Sequence, residues 1–354
     1  MKKILSILFI AMLGAISISA GGTGVGTTVE NYGTLHFKVG TVDQDEINST
    51  KDLFKVDKKI NFIVETADGT IVGVQPNQQK AVLTFHLRNN GNSVQDFGLG
   101  HVADNGNDFA GKTDNSDMEY VGTYVENGNT AGYQSTEDKA EYVDELGVDT
   151  NTTVYMVFNI PGERVDGNVS DYTLIAQARI GNDPNNEGAV DQNDSNADDP
   201  NAVQTVWADP AGTYDVAKDG NHSDHDAFEV QAAVINFEKT SVVVDDYVSG
   251  DNFKRIPGAL IRYCFELKNT GTQDATNLYW EDNVSSTLIV GDEDKNAKYT
   301  GEGDGRCAEC SSIDKNNYND AAHRDGNNIT FPNSGTMDLH HDKTICAFIE
   351  AIVN

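Results

Sequence analysis

Basic residues are scarce in this chain. Its 354 residues hold 25 lysines and arginines against 56 aspartates and glutamates, a formal net charge of −31. A polyanion of that size is repelled by nucleic acid and by anionic membrane, so neither is expected as a partner. The same charge suits solubility outside a cell and favours divalent cations. Long amphipathic helical patterns are missing too, while glycine, asparagine, aspartate and threonine are abundant; short alternating runs between turn residues point to an all-β protein. The longest apolar run, residues 4–16, is too short to span a bilayer, and membrane insertion is not expected. Catalytic frames are absent: no Ser/His/Asp grouping on an elbow, no HExxH and no recognisable carboxylate pair. The expectation is a protein that is not an enzyme.

The first twenty residues read as a secretory signal peptide, with Lys2-Lys3, the apolar run, and the small residues Ser17, Ser19 and Ala20 ahead of the cleavage point. The mature chain is therefore expected to be exported, extracellular or at the cell surface. The last apolar strand runs almost to Asn354, and no anchor tail is expected after it. In an exported protein the four cysteines, Cys264, Cys307, Cys310 and Cys346, are expected in disulfides. Of three connectivities, the reading favours Cys264–Cys346 across two strands with a local Cys307–Cys310 loop. A zinc site or redox pair finds no second CxxC and no thioredoxin-like surroundings.

One stretch is written twice. Residues 259–268 alternate, with Ile261, Tyr263, Phe265 and Leu267 inward and Arg262, Cys264, Glu266 and Lys268 outward. Asn269-Thr270-Gly271 closes the strand. Residues 81–88 repeat the pattern, with Leu83, Phe85 and Leu87 inward, closed by Asn89-Asn90-Gly91 at an offset of 180. Upstream, residues 56–64 align with 237–245 at an offset of 181. So long a repeat implies two successive domains of one kind. The expected organisation is a leader at 21–53 with one strand, residues 32–39; a first β-sandwich at 54–235 with an acidic loop at 182–226; and a second at 236–354. A short helical turn is expected within 137–146.

Lys239-Thr240, Ile256-Pro257-Gly258-Ala259, Tyr263 and Asn269-Thr270-Gly271, followed by Ala275-Thr276-Asn277-Leu278, resemble the conserved-repeat immunoglobulin-like domain of bacterial surface proteins. The first half resembles a companion region that precedes it, through residues 56–59, 83–97 and 142–161. The likeness covers most of residues 27–290 and implies two tandem immunoglobulin-like β-sandwich domains, the first enlarged by long loops. It implies no catalysis and no fixed ligand. The region after Asp292, with its CxxC and His340-His341, departs from the pattern.

Five oxygen-bearing residues, Asp183, Asn185, Glu187, Asp191 and Asp194, stand at positions 1, 3, 5, 9 and 12 of a stretch with Gly188 at 6. That spacing is close to a calcium loop, though Pro184, the short Asp194 and the lack of flanking helices depart from it. The bland alternative is a solvated acidic loop. A weaker oxygen cluster is Asp292, Asp294 and Asn296. Asn48, Asn151, Asn168, Asn193, Asn221 and Asn283 each open an Asn-x-Ser/Thr triplet with an acid two positions earlier. This resembles the extended acceptor of bacterial oligosaccharyl transfer, so they are glycosylation candidates, against plain compositional crowding. His222/His225 and His340/His341 read as surface histidines rather than metal ligands. The function expected is a structural or cell-surface protein, a subunit of an extracellular assembly joined through the detached strand 32–39, partnering itself or other surface proteins. The alternatives are that this strand pairs within its own domain, or that the protein is an adhesin or glycan binder working through its loops.

Overall fold

The computed structural model describes residues 22–103, 108–140, 142–291 and 296–354. The expected signal peptide lies outside the described residues, as do Asp292 and Asp294. Among the described residues the regular elements are strands and two 3-10 turns, Cys310–Ser312 and Lys315–Asn317, so the all-β expectation holds. The described chain forms two compact units. The first takes residues 22–72, 79–159 and 170–228; the second takes 73–78, 160–169 and 229–354.

The leader is a ribbon rather than one detached strand. Thr28–Asn31 pairs antiparallel with Asp52–Lys55, Thr34–Leu35 with Ile47–Asn48, and Lys38–Val39 with Val42–Asp43. The register slips by one residue between each pair of ladders, and each time the extra residue lies on the returning strand. Residues 32–39 are therefore partnered on one side by the chain that follows them. At its base the ribbon is fastened by the Asn92 side chain. Its Nδ2 donates to Thr23 O (3.1 Å) and Asp57 O (2.8 Å), and its Oδ1 accepts from Lys59 N (2.8 Å).

Behind the ribbon the first unit is a sandwich of two five-stranded sheets. One runs, in spatial order, Lys139–Ala140, Glu119–Val125, Asn151–Asn159, Ala81–Asn89, Phe62–Thr66. The other runs Tyr142–Leu146, Gln95–Ala103, Val169–Ile180, Asn221–Val230, Val72–Val74, with the strand ends at 73–74, 169 and 229–230 counted in the second unit. The alternation at 81–88 does what its pattern predicts: Leu83, Phe85 and Leu87 are fully buried while His86 and Arg88 are exposed. Rings meet across the layers, Phe62 on Phe97 at 4.7 Å and Phe158 on Phe228 at 5.3 Å. Two expectations fail here. Residues 142–146 form a strand, not a helical turn, because Val143 and Leu146 are buried beside Gln95–Ala103. The acidic stretch 182–226 also ends inside the sheet, since Asn221–Val230 is a sheet strand with Ala227 and Phe228 buried.

In the second unit the main sheet runs Ile235–Asp245, Leu260–Asn269, Lys343–Val353, Ala297–Tyr299, Asp320–Ala321. Its inner face packs on the small sheets built from Trp280–Asn283 with Asn328–Phe331 and Ala275–Leu278 with Met337–Leu339. Trp280 lies flat on Phe331 at 4.8 Å, and Phe331 reaches Phe265 at 6.0 Å.

The disulfides correct the favoured pairing: they join Cys264 to Cys310 and Cys307 to Cys346, with Cα separations of 5.8 and 5.7 Å. Register is the reason. Cys264 stands opposite Phe348 and Cys346 opposite Glu266, so the two strand cysteines are diagonal neighbours, roughly 7–8 Å apart in an antiparallel ladder and too far to bridge. Each reaches instead to a loop cysteine above the sheet. Residues 306–318 are thereby stapled over the outer face. Under them Arg262, expected to point into solvent, is buried and bonds Glu350 Oε1 through Nε (2.9 Å) and Nη2 (2.8 Å), with Nη1 donating to Cys310 O (3.1 Å). Lys315 pairs with the same carboxylate, and Tyr318 stands edge-on to Phe348 at 5.1 Å.

The repeat is real at the strand-and-turn and misaligned upstream. Asn89 Nδ2 donates to Ser93 O and Leu146 O, both 2.9 Å, and its Oδ1 accepts from Gly91 N at 2.9 Å. Asn269 repeats this with Gln273 O (2.8 Å), Leu339 O (3.1 Å) and Gly271 N (3.1 Å), and Oδ1 also accepts from Val234 N (3.1 Å). A Cβ on Gly91 or Gly271 would fall on the carbonyl oxygen of Lys59 or Ala232, which is why glycine stands at both. The neighbouring strand, however, places Phe62 opposite Asn89 and Ile235 opposite Asn269, an offset of 173 rather than 181.

Candidate functional site

The loop read as a calcium site does not bring its five residues together. Asp183 is exposed, and its Oδ1 accepts from Asn186 Nδ2 at 3.2 Å. Asn185 sits at a left-handed φ of 69°, its amide spent on Asp144 (3.0 Å). Glu187 pairs with Arg179 Nε at 3.0 Å. Asp191 turns inward, 5 % exposed, onto Lys58 and Gln95 Nε2. Asp194 accepts from Asn196 N (2.8 Å), and these local hydrogen bonds hold its carboxyl below the usual range.

What the loop covers is a different acidic group that spacing in sequence does not reveal. Asp96, Asp144 and Glu145 place carboxylate oxygens within 4.8 Å of one another. Among the described residues this is the group of His, Cys, Asp and Glu near enough to share an ion. The loop supplies main-chain donors to all three: Asp183 N to Glu145 Oε1 (2.8 Å), Asn185 N to Asp144 and Gly188 N to Asp96 Oδ2 (3.1 Å). Asp96 also takes Glu145 N at 2.8 Å. Burial pushes the Asp96 carboxyl up, against the pull of those two amides. The three carboxylates thus act chiefly as acceptors that hold the loop down.

A second concentration of buried acid lies on Val169–Ile180 and Asn221–Val230. Asp171 Oδ2 meets His225 Nδ1 at 2.9 Å, and the ring of Phe109 stands edge-on to His225 at 5.0 Å. Asp226 is 2 % exposed, and burial pushes its carboxyl up to about 7. The two histidines of this strand do not converge. His222 Nδ1 accepts from Val64 N at 3.0 Å inside the sandwich, and burial lowers its pKa. The His340 ring meets Glu302 (2.7 Å) and stands 3.9 Å from Asp274, which also accepts from the His341 amide (2.8 Å), while the His341 ring turns to Asp342 at 3.6 Å. The Glu302 hydrogen bond raises the His340 pKa.

Of the candidate glycan acceptors, Asn48, Asn151, Asn193 and Asn283 are exposed, while Asn168 and Asn221 are half-buried. Asn168 Oδ1 accepts from Val165 N, and Asn221 Nδ2 donates to Asp219 O.

The feature that stands apart is the ribbon. Tyr32, Leu35, Phe37, Val39, Val42, Ile47, Leu53 and Phe54 are each between 39 % and 63 % exposed. Cross-strand neighbours Val29/Phe54, Leu35/Ile47 and Val39/Val42 put apolar side chains side by side on one face. Ion pairs line the ribbon, Lys38 with Asp43 at 2.9 Å and His36 with Glu46 at 3.0 Å. Such exposed pairs contribute about 1 kcal/mol or less. A two-stranded ribbon is marginal in water by itself, and apolar patches of this kind mark interaction surfaces.

No family model matches the chain, and no curated protein matches it. Among solved structures it is similar to a protein of Corynebacterium diphtheriae described as membrane anchored, at 9% identity and a TM-score of 0.20, covering 92% of this chain and 89% of that one. It is also similar to a chaperone–tip adhesin complex of CFA/I fimbriae biogenesis, at 8% identity and a TM-score of 0.20, covering 83% and 81%. A mutant of the enterotoxigenic E. coli CFA/I adhesin CfaE follows at 8% and 0.18, covering 83% and 75%. At these scores the likeness carries no argument about function.

Proposed function

We propose that this is an exported structural protein of the cell surface, a subunit that joins further copies of itself by strand pairing through the ribbon at residues 28–55. The supporting observation is that ribbon: eight large apolar side chains, 39–63 % exposed, on a two-stranded element. The second unit supplies robustness, with two disulfides closing loops of 46 and 39 residues over one sheet face. No catalytic step belongs to this reading. Sedimentation of the secreted chain against Leu35→Asp/Val39→Asp tests it. The wild type is expected to run as multimers and the variant as a monomer; equal sedimentation refutes the reading.

A second reading, a glycan-binding surface protein, is favoured by a shallow groove on the sheet of the first unit. Its floor includes Gly98 and Gly100, and Gln177, Arg179, Glu187 and Asn221 line it with planar hydrogen-bonding groups. The space where a Gly100 side chain would stand is open. Binding on a glycan array, lost in Gly100→Trp, would support it; no binding by the wild type would sink it.

A further inference from the structure

Resting on the assembly reading, we infer where the ribbon goes: its first strand, residues 28–39, adds to the edge strand Ile235–Asp245 in the second unit of another copy of this chain. Ile235–Asp245 is an end strand of its sheet, paired on one side by Leu260–Asn269. Val234 O accepts from Thr270 N at 2.8 Å, so even-numbered positions here bond toward that neighbour. Alternation in an antiparallel ladder then directs the N–H and C=O of Phe237, Lys239 and Ser241 outward. The carbonyl of Ser241 shows that direction by accepting from the Arg255 guanidinium at 3.2 Å. Eleven residues of strand without proline thus offer a template for one more strand.

Side chains make the same case. The odd positions that face outward with their main chain face the core with their side chains, Phe237 opposite Leu267 and Lys239 opposite Phe265. Phe237 stacks on Phe265 at 6.1 Å and meets Trp280 at 6.3 Å, yet it is 51 % exposed. The core stops at this edge without a strand to cover it. An added strand must therefore carry an apolar residue at every second position and polar residues between. Residues 35–39 read Leu-His-Phe-Lys-Val, and Leu35, Phe37 and Val39 are all exposed.

The first strand of the ribbon is the donor because the outer edge of the second is engaged at its base, where Lys55 N donates to Pro200 O at 3.0 Å. Every copy carries one donor, in the first unit, and one acceptor, in the second. The contact is heterologous, so repetition yields a ring or an open chain of subunits.

Complementation tests this in the secreted full-length protein. Leu35→Asp/Phe37→Asp removes the donor. Ser241→Pro removes one outward N–H while leaving the ladder to Leu260–Asn269 intact, a change an edge strand tolerates. Phe237→Lys, a second acceptor variant, keeps the test open if Ser241→Pro does not fold, as judged by Trp280 fluorescence in a Trp207→Phe background. Light scattering is expected to show multimers for the wild type, monomers for each variant alone, and dimers alone when donor-dead and acceptor-dead chains are mixed. If both acceptor variants assemble like the wild type while the ribbon variant does not, the edge assignment is overturned and the ribbon reading stands. If the ribbon variant assembles like the wild type, or the wild type is monomeric, the assembly reading itself falls.

Discussion

Replacing Asn269 by alanine should cost the second unit about 3–5 kcal/mol. The side chain is fully buried and makes four bonds: Nδ2 to Gln273 O and Leu339 O, and Oδ1 from Gly271 N and Val234 N. Alanine removes all four of these bonds at the end of the core. Each buried orphan costs about 1–3 kcal/mol, and some are relieved by water that enters at the turn. Aspartate should be worse than alanine at pH 8, although it is nearly the same shape. It keeps the acceptor for Gly271 and Val234 but turns a buried carboxylate oxygen onto two carbonyls. The chain holds two tryptophans, and they fall in different units, Trp207 in the first and Trp280 in the second. Guanidinium unfolding in a Trp207→Phe background therefore reads the second unit alone. The expected order of midpoints is wild type, then Asn269→Ala, then Asn269→Asp. A loss under about 1 kcal/mol for alanine, or an aspartate variant as stable as the alanine one, would refute the bracket as a source of stability.

Asn89→Ala should act likewise on the first unit, followed by Trp207 in a Trp280→Phe background, since its three bonds repeat those of Asn269. Removing the bridge between Cys264 and Cys310 with serines should lower the stability of the second unit by about 4 kcal/mol on chain-entropy grounds for a 46-residue loop. Peptide mapping without reductant should recover 264 with 310 and 307 with 346; a 264–346 peptide would contradict the register argument. Asp226 gives the first unit a pH dependence. Its folded pKa, pushed up to about 7 by burial, lies above an unfolded value of about 4. Its contribution is fully present below about pH 4 and is lost as pH rises through 7, by at most about 4 kcal/mol. His222, whose pKa burial lowers, pulls the other way. The measurable quantity is therefore the stability difference between wild type and Asp226→Asn, expected to shift toward the variant between pH 5 and pH 8; a flat difference refutes it.

Much of the frame was readable because a half-buried strand writes its period into the chain. Leu83, Phe85 and Leu87, and Ile261, Phe265 and Leu267, are buried as alternation requires. By sequence Asn89 and Asn269 are turn residues, and only the fold shows their amides bracketing segments 57 and 70 residues away. The disulfide partners were not legible because pairing depends on cross-strand register, which sets Cys264 against Phe348. The upstream repeat slipped for the same reason: apolar runs at 56–64 and 237–245 look alike, but strand partners decide their equivalence. Residues 42–55 do not read as a strand, because two extra residues on this returning side of the ribbon break the alternation. The trio Asp96, Asp144 and Glu145 joins residues from separate strands, beyond the reach of a spacing rule.

The central claim is that residues 28–39 of one copy pair with Ile235–Asp245 of another, and amide hydrogen exchange reads that pairing directly. In the secreted wild-type protein at assembling concentration, the amides of Phe237, Lys239 and Ser241 should be protected. In Leu35→Asp/Phe37→Asp they should exchange as open-edge amides do, while Glu238 and Thr240, bonded within the sheet, stay protected in both. Equal exchange at Phe237, Lys239 and Ser241 in the two proteins would contradict the account.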